Sequence, residues 1–333
     1  MTQGDSTRLT ATAIGLQGDT IPDAAFSWSS TSPAIAEVDQ RGVVRGRTTG
    51  FAQITASFGT NRATAGIVVN ASPAVLVGAG DIASCSYDDD EATAKLLDAI
   101  SGVVFTAGDD AYSSGTPQQF ADCYQPTWGR HRERTRPSPG NHEYNTPGAA
   151  GYYHYYGALA GDSGLGNFSY DVGGWHIISL NSNLAMAAGS PQEQWLRADL
   201  SLHPASCILA YWHHPRFSSG TTHGSWAGPQ PLWQALYDAG TDVIVVGHEH
   251  QYERFAPQTP AGVLDTTRGI RQFVVGTGGA SLYPFGPPIA NSEVRNNTTH
   301  GVIKLTLRAG GYDWEFVPVA GGTFRDSGTD KCH

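Results

Sequence analysis

One stretch constrains the chain more than any other: Val243-Ile244-Val245-Val246-Gly247-His248-Glu249-His250-Gln251-Tyr252-Glu253-Arg254. Four β-branched apolar residues in a row predict a buried strand, and the glycine after them lets the chain turn. Two histidines then stand two residues apart. In extended backbone, positions i and i+2 face the same way, so both imidazoles are expected to enter one site. Such a pair at the carboxyl end of a buried strand suggests metal ligands, placed where open α/β sheets keep their sites. A histidine-bearing loop that binds nothing is the plainer alternative. It loses ground only if suitable ligands end other strands as well.

The 333 residues suffice for two domains, or for one large and one small. With 41 Gly and 19 Pro the chain is rich in turns, unlike a helical bundle. Twenty basic residues against 30 acidic ones leave a formal net charge of −10. That argues against general binding to nucleic acid or anionic membranes, both of which need basic patches. An anionic substrate would need local positive charge, which bound metal could supply. No apolar run approaches the roughly 18 residues of a transmembrane helix. The N-terminus, Met1-Thr2-Gln3-Gly4-Asp5, lacks a charged-then-apolar signal pattern and starts directly in domain-like sequence. The expectation is an exported protein (extracellular, periplasmic or cell-wall associated) whose leader was removed and a Met added. Cys85, Cys123, Cys207 and Cys332 form no CxxC pair, which disfavours a zinc–thiolate site. An even count fits two disulfides in an exported protein, with buried free thiols as the alternative. Four cysteines allow three connectivities, and Cys85–Cys123 with Cys207–Cys332 is the preferred one.

Residues 5–70 carry short alternating runs between turn signals: Arg8 to Ala13, Phe26 to Trp28, Ile35 to Val38, Val43 to Gly46 and Gln53 to Phe58. Strands at this spacing predict a small β-sandwich. Trp28-Ser29-Ser30-Thr31-Ser32-Pro33, Ala36-Glu37-Val38-Asp39, Gly42-Val43-Val44 and Gly50-Phe51-Ala52-Gln53-Ile54-Thr55-Ala56 resemble a bacterial immunoglobulin-like domain of group 2. The resemblance implies a spacer or adhesion module over residues 1–70, with cell-surface or carbohydrate contact as the binding it would make. Asn70 to Pro73 reads as the linker to a second domain at 74–333.

From Ala74 onward, apolar strands alternate with helical stretches, which predicts an α/β layered domain. Strands at Ala74 to Ala79 and Val103 to Ala107 end in Gly80-Asp81 and Gly108-Asp109-Asp110-Ala111-Tyr112. Helices are expected over Asp88 to Ile100, Gln118 to Trp128, Pro191 to Leu200 and Pro231 to Ala239, and a hairpin joins Phe168–Val172 to Trp175–Leu180. The acidic run Asp88-Asp89-Asp90-Glu91 reads as a solvated helix start rather than a calcium site. Pro137 to Glu143 carries Gly140-Asn141-His142-Glu143, and a strand from Cys207 to Trp212 ends in His213-His214-Pro215.

Five strand ends thus finish in Asp81, Asp109, Asn141, His213 and His248/His250, all hard oxygen or imidazole donors. The order GD, GDxxY, GNHE, HxP, GHxH resembles the calcineurin-like metallophosphoesterases, and GDDAY with GHEHQYER is similar to the purple acid phosphatases among them. The resemblance runs from about Val75 to Val319. It implies a four-layer α/β/β/α sandwich with two metal ions. Asp81, Asp109, Tyr112 and His250 would hold one, and Asp109, Asn141, His213 and His248 the other, with Asp109 bridging. The first motif lacks the Asp-x-His of many members, reading Asp81-Ile82-Ala83, while Tyr112 is present. A phenolate favours a trivalent ion, so Fe(III) is implied there and Zn(II), Mn(II) or Fe(II) at the second position.

The same resemblance makes His142 and His223 the acid–base candidates. Plant members carry two adjacent histidines where this chain has Thr222-His223, so leaving-group preference is expected to differ. The implied function is hydrolysis of small phosphate esters, monoesters favoured, by direct attack of a metal-activated hydroxide on phosphorus. The alternatives are a phosphodiesterase or nucleotide hydrolase on the same scaffold, and a non-catalytic surface-adhesion protein. His131, His154, His176, His203, His300 and His333 are expected to be surface or structural. Arg216 and Arg254 are candidates for phosphate contact, Arg254 more for a structural ion pair. Trp212, Phe217, Trp226 and Tyr144 are candidates for pocket walls or for core.

Overall fold

In the computed structural model, which describes residues 1–87, 89–162 and 164–333, the chain divides into two units, Met1–Pro73 and Ala74–His333. The first unit holds two three-stranded sheets. One is ordered β1 (Ser6–Arg8), β4 (Val43–Gly46), β3 (Ala36–Val38), and the other β2 (Ser27–Ser30), β5 (Gly50–Phe58), β6 (Asn61–Val69). Ala36, Val44, Ala52, Ile54 and Val69 form its core. Of the strand expected from Arg8 to Ala13, only Arg8 is paired, opposite Val43. Its partner strand begins there, and the Leu9 amide makes a last bond to the Gly42 carbonyl, so the chain leaves that sheet and Ala13 pairs locally instead, accepting the Ile21 amide. Strand β6 has little apolar alternation of its own and was not expected. It exists because it pairs with β5 from Asn61↔Phe58 to Val69↔Gly50.

The second unit is built on two mixed sheets. The six-stranded sheet runs β19 (Ser327–Lys331), β18 (Gly311–Pro318), β17 (Gly301–Arg308), β7 (Ala74–Ala79), β8 (Val103–Thr106), β9 (Thr135–Arg136). The seven-stranded sheet runs β10 (Phe168–Val172), β11 (Trp175–Ser179), β12 (Ile208–Trp212), β13 (Val243–Val246), β15 (Arg271–Val275), β14 (Tyr252–Phe255), β16 (Ser292–Asn296). Strands β7, β8 and β9 are parallel, as are β11, β12, β13 and β15.

Alternation along the central strands sorts side chains into two cores. Leu209, Tyr211, Val243 and Val245 join Leu76, Phe105 and Leu305 between the sheets. Ile208, Ala210, Trp212, Ile244 and Val246 face outward onto Leu196, Leu200, Leu232, Trp233 and Leu236 of the helices Pro191–Leu202 and Gln230–Asp238. Helix Asp89–Ala99 packs on β17 of the other sheet, and its Ala94 and Leu97 enter the first core. The result is the four-layer α/β/β/α arrangement. Asp88, the expected first residue of that helix, lies outside the described residues. The helix expected over Gln118 to Trp128 is broken instead into Pro117–Gln119, a wide turn at Phe120–Tyr124, and a 3-10 segment at Trp128–Arg134. Pro126 cannot donate to a continuing ladder, which ends the first stretch.

Disulfides join Cys85 to Cys123 and Cys207 to Cys332, the preferred pairing. The second closes 125 residues of sequence and ties the C-terminus to β12. Replacing Cys332 with serine is expected to lower stability by about 3–5 kcal/mol, because a crosslink of that span removes much chain entropy from the unfolded state. Urea unfolding under non-reducing conditions would reveal it as a lower midpoint, and an unchanged midpoint would show that the crosslink holds nothing. Among the described residues no helix is long and apolar enough to cross a membrane.

Candidate metal centre

The carboxyl ends of β7, β8 and β9 in one sheet meet those of β12 and β13 in the other. Asp81, Asp109, Asn141, His213, His248 and His250 therefore converge, with Tyr112 from the loop after β8. The last strand end does not do so in extended backbone. His248 is left-handed at φ 70°, its amide donating to Asp81 Oδ2 at 2.8 Å. Nor does Gly247 serve by a positive φ. A Cβ there would lie 2.7 Å from Asp81 Oδ2 and 2.8 Å from the Ala107 carbonyl oxygen, so the glycine is needed for close approach. Asp81 and Asp109 are left-handed too, at 61° and 55°. Half of the six non-glycine residues with positive φ among those described thus lie in this cluster, which is where backbone strain is usually retained for function.

Two donor groups result. In one, Tyr112 Oη is 2.9 Å from Asp81 Oδ1 and 3.0 Å from His250 Nε2, and His250 Nε2 is 3.2 Å from Asp81 Oδ1. In the other, His213 Nε2 is 3.0 Å from Asn141 Oδ1, 3.1 Å from His248 Nδ1 and 3.2 Å from Asp109 Oδ2. Asp109 Oδ2 also lies 3.3 Å from Tyr112 Oη, so it belongs to both groups. Its other oxygen is occupied by the His142 amide at 2.8 Å.

The donor chemistry fits cations. His213 and His250 give their Nδ1 protons to the carbonyls of Ala107 and Ser281, each at 2.8 Å, which fixes the tautomers and aims both Nε2 lone pairs inward. Without a cation, lone pairs face lone pairs, and protons must serve instead. Burial alone would lower the His213 pKa, but attraction to Asp109 outweighs it and raises the imidazole to about 9. Burial, followed by the nearby charge of His213, pushes His248 far below the imidazole range. Burial and the charges of Asp81 and Asp109 hold the Tyr112 phenol well above its ordinary value. A cation among these atoms would reverse that logic and favour the phenolate.

The model of the calcineurin-like phosphoesterase family matches residues 67–252. The chain belongs to that family. Residues 1–68 match the bacterial Ig-like domain (group 2). Purple acid phosphatase 15 of Arabidopsis thaliana is 31% identical over 167 residues, covering 44% of this chain and 31% of that protein. Purple acid phosphatase 21 of the same plant is 32% identical over 162 residues, covering 41% and 37%. The chain thus spans about a third of the length of these curated relatives. Among solved structures, a purple acid phosphatase from yellow lupin (Lupinus luteus) seeds superposes with a TM-score of 0.68 at 17% identity, over 92% of this chain and 66% of that one. GAP50, the anchor in the inner membrane complex of Plasmodium, gives 0.60 at 15% identity, over 78% and 89%. Both likenesses show the fold, and a fold alone does not assign chemistry.

In this member of the calcineurin-like phosphoesterase family, the two acid–base candidates sit at the rim. His142 lies beside the Tyr112 ring at 4.5 Å, and its Nδ1 donates to the Ser113 carbonyl at 2.7 Å. The exposed His223 ring stacks on His248 at 4.0 Å. His214 turns its ring to His248 at 4.4 Å and to the 43%-exposed Trp226 at 4.9 Å. Of the other aromatic candidates, Trp212 and Phe217 are core, and Tyr144 accepts from the Asn181 amide. Arg254 is held by Asp326 at 2.7 Å and by Glu293 in ion pairs. Arg216 lies over the Phe217 ring. His176 is clasped between Asp171 and Asp199, and His333 meets Asp242.

Three contributors had no role in the sequence reading. Tyr283 stacks on His250 at 3.8 Å and 11°, from a segment with no motif. Glu143 and Glu249 lie inside GNHE and GHEH, but their roles depend on which loops approach them. Buried Glu143 accepts amides from Gly140 at 2.7 Å, Asp110 at 2.9 Å, Asp109 at 3.0 Å and Ala111 at 3.2 Å.

Proposed function

We propose that the protein hydrolyses phosphate esters, monoesters in preference to diesters, using two metal ions. The observation that carries this reading is the shared Asp109 Oδ2, 3.3 Å from Tyr112 Oη and 3.2 Å from His213 Nε2. Asp81, Asp109, Tyr112 and His250 would hold one ion, and Asp109, Asn141, His213 and His248 the other. Two cations so held would acidify a water and offset the charge of the phosphoryl oxygens. A phenolate donor suits Fe(III) at the first position, and the imidazole and amide donors suit Zn(II), Mn(II) or Fe(II) at the second. Asn141 adds an oxygen without adding negative charge, which keeps the site cationic for an anionic substrate. His142, its Nδ1 engaged by Ser113, would turn Nε2 toward the phosphoryl group. His223, free of the donor groups and exposed above His248, would pass a proton to the leaving oxygen. Two disulfides suit an exported protein in an oxidising compartment.

Metal analysis, a visible spectrum and paired assays on nitrophenyl phosphate and bis(nitrophenyl) phosphate test this. The expected result is two metals per chain including iron, a broad visible band that disappears in Tyr112→Phe, and faster monoester turnover. A colourless, fully active dizinc protein would overturn the iron assignment alone. Faster diester turnover would make it a phosphodiesterase, and no turnover of either ester by the metal-loaded protein would end the hydrolase reading.

A further inference from the structure

Glu249 stands between the two histidines of the last strand end, with its side chain fully buried. A buried carboxylate persists only where donors compensate its lost hydration. Here Oε1 accepts the His223 amide at 2.7 Å and the Gly224 amide. Both donors belong to one loop, residues 218–225, and neither belongs to the strand end that carries Glu249. The loop wraps the carboxylate closely: a Cβ at Gly220 would sit 2.3 Å from its carbon and 2.4–2.6 Å from its oxygens. Further along the chain, in β14, Glu253 grips the same loop, accepting the Ser219 amide at 2.8 Å and the Ser219 hydroxyl at 2.5 Å.

We infer that Glu249 is a positioning residue: its carboxylate pegs the backbone of His223 so that the exposed imidazole is held over His248. Residues 221–223 are exposed, so without an internal anchor the ring contact at 4.0 Å and 29° would compete with many free rotations of the loop. Two amides converging on one buried oxygen remove that freedom at the residue where it matters. The peg also couples the loop to the metal centre, since its two sequence neighbours are His248 and His250. The catalytic consequence, but not the peg itself, rests on the hydrolase reading above.

Two measurements separate the peg from its consequence. Hydrogen exchange of the intact protein reads the first. Glu249→Ala should speed exchange at the His223 and Gly224 amides by about tenfold or more while β12 and β13 keep their protection. Glu249→Gln keeps an acceptor oxygen and should restore most of the protection. Gly220→Ala leaves Glu249 in place but drives a methyl into its carboxylate, so it should give the same exchange pattern even if Glu249→Ala folds poorly. Turnover reads the second. On an alkyl phosphate, whose leaving oxygen needs a proton, kcat of Glu249→Ala should fall about 10- to 100-fold, against less than about threefold on nitrophenyl phosphate, with KM little changed. In a His223→Ala background, Glu249→Ala should cost nothing further. Unchanged amide exchange in both Glu249→Ala and Gly220→Ala overturns the inference. So does an equal loss on both esters that persists without His223. Failure of the hydrolase reading looks different, because the wild type would then turn over neither ester while the exchange result still decides the peg.

Discussion

Asp109→Asn is expected to lower turnover on the order of 1,000-fold or more and to empty both metal positions, in a protein that still folds. One oxygen of this side chain is committed to the His142 amide, so the other is the only one left to serve Tyr112 on one side and His213 on the other. An amide supplies a single acceptor oxygen and no negative charge. If that oxygen keeps the His142 amide, an NH2 group points into both donor groups, repelling cations from each. If it flips, the His142 amide loses its acceptor. Folding should survive for two reasons. Asparagine accepts the left-handed backbone at φ 55° as readily as aspartate does, whereas Asp109→Ala would add strain there. The substitution also removes a buried charge that adds to burial in raising the pKa values of neighbouring Glu143 and, to a smaller degree, Asp110. Metal content, near-UV circular dichroism and ester turnover on one preparation check the claim. A folded variant that keeps two metals, or a tenth of the turnover, would remove Asp109 from its bridging position.

The parts of this architecture that could be read in the sequence are those written locally. Val243 to Val246 is a buried strand whatever it packs against, and a donor placed just after such a strand stands at the carboxyl end of a sheet. Five such ends marked the positions that converge. The side of the sheet each residue faces was also implicit in period-two alternation, which sends Tyr211 and Val245 to one core and Trp212 and Val246 to the other. What could not be read depends on contacts between distant segments. Strand β6 is extended because β5 lies beside it. The histidine pair was expected to converge through extended backbone, and it converges instead because Asp81, 167 residues earlier, captures the His248 amide and turns it left-handed. Tyr283 reaches His250 from a loop with no regular pattern. Glu143, Glu249 and Glu253 look like surface acids in a motif, yet each is a buried acceptor for loops that the sequence does not place.

Glu143 makes the clearest case for that last kind of residue, and Glu143→Gln is expected to be the more damaging substitution for stability. Four amides converge on its two oxygens. A glutamine can receive two of them, while its own NH2 faces the other two, leaving buried donors opposed. The loss is about 2–5 kcal/mol, and because the displaced amides are those of Asp109, Asp110, Ala111 and Gly140, turnover should fall about 10- to 100-fold as the donors shift. One effect runs the other way. Burial and then the charge of Asp109 push the Glu143 carboxyl up to about 7 from an ordinary 4.5. A carboxyl raised in the folded state favours folding most when protonated, so the wild type should lose stability as pH climbs from 4.5 to about 7, and then level off. Glutamine cannot ionise and is spared that loss. The gap between wild type and variant should therefore be widest near pH 5 and narrower near pH 8 in metal-free protein. It should reopen when cations offset the Asp109 charge. Chemical unfolding of both proteins at the two pH values, with and without metal, checks the order. A variant within about 1 kcal/mol of wild type at pH 5 would mean that the four amides find other acceptors, and that the loops bearing Asp109 and Asn141 are held by something else.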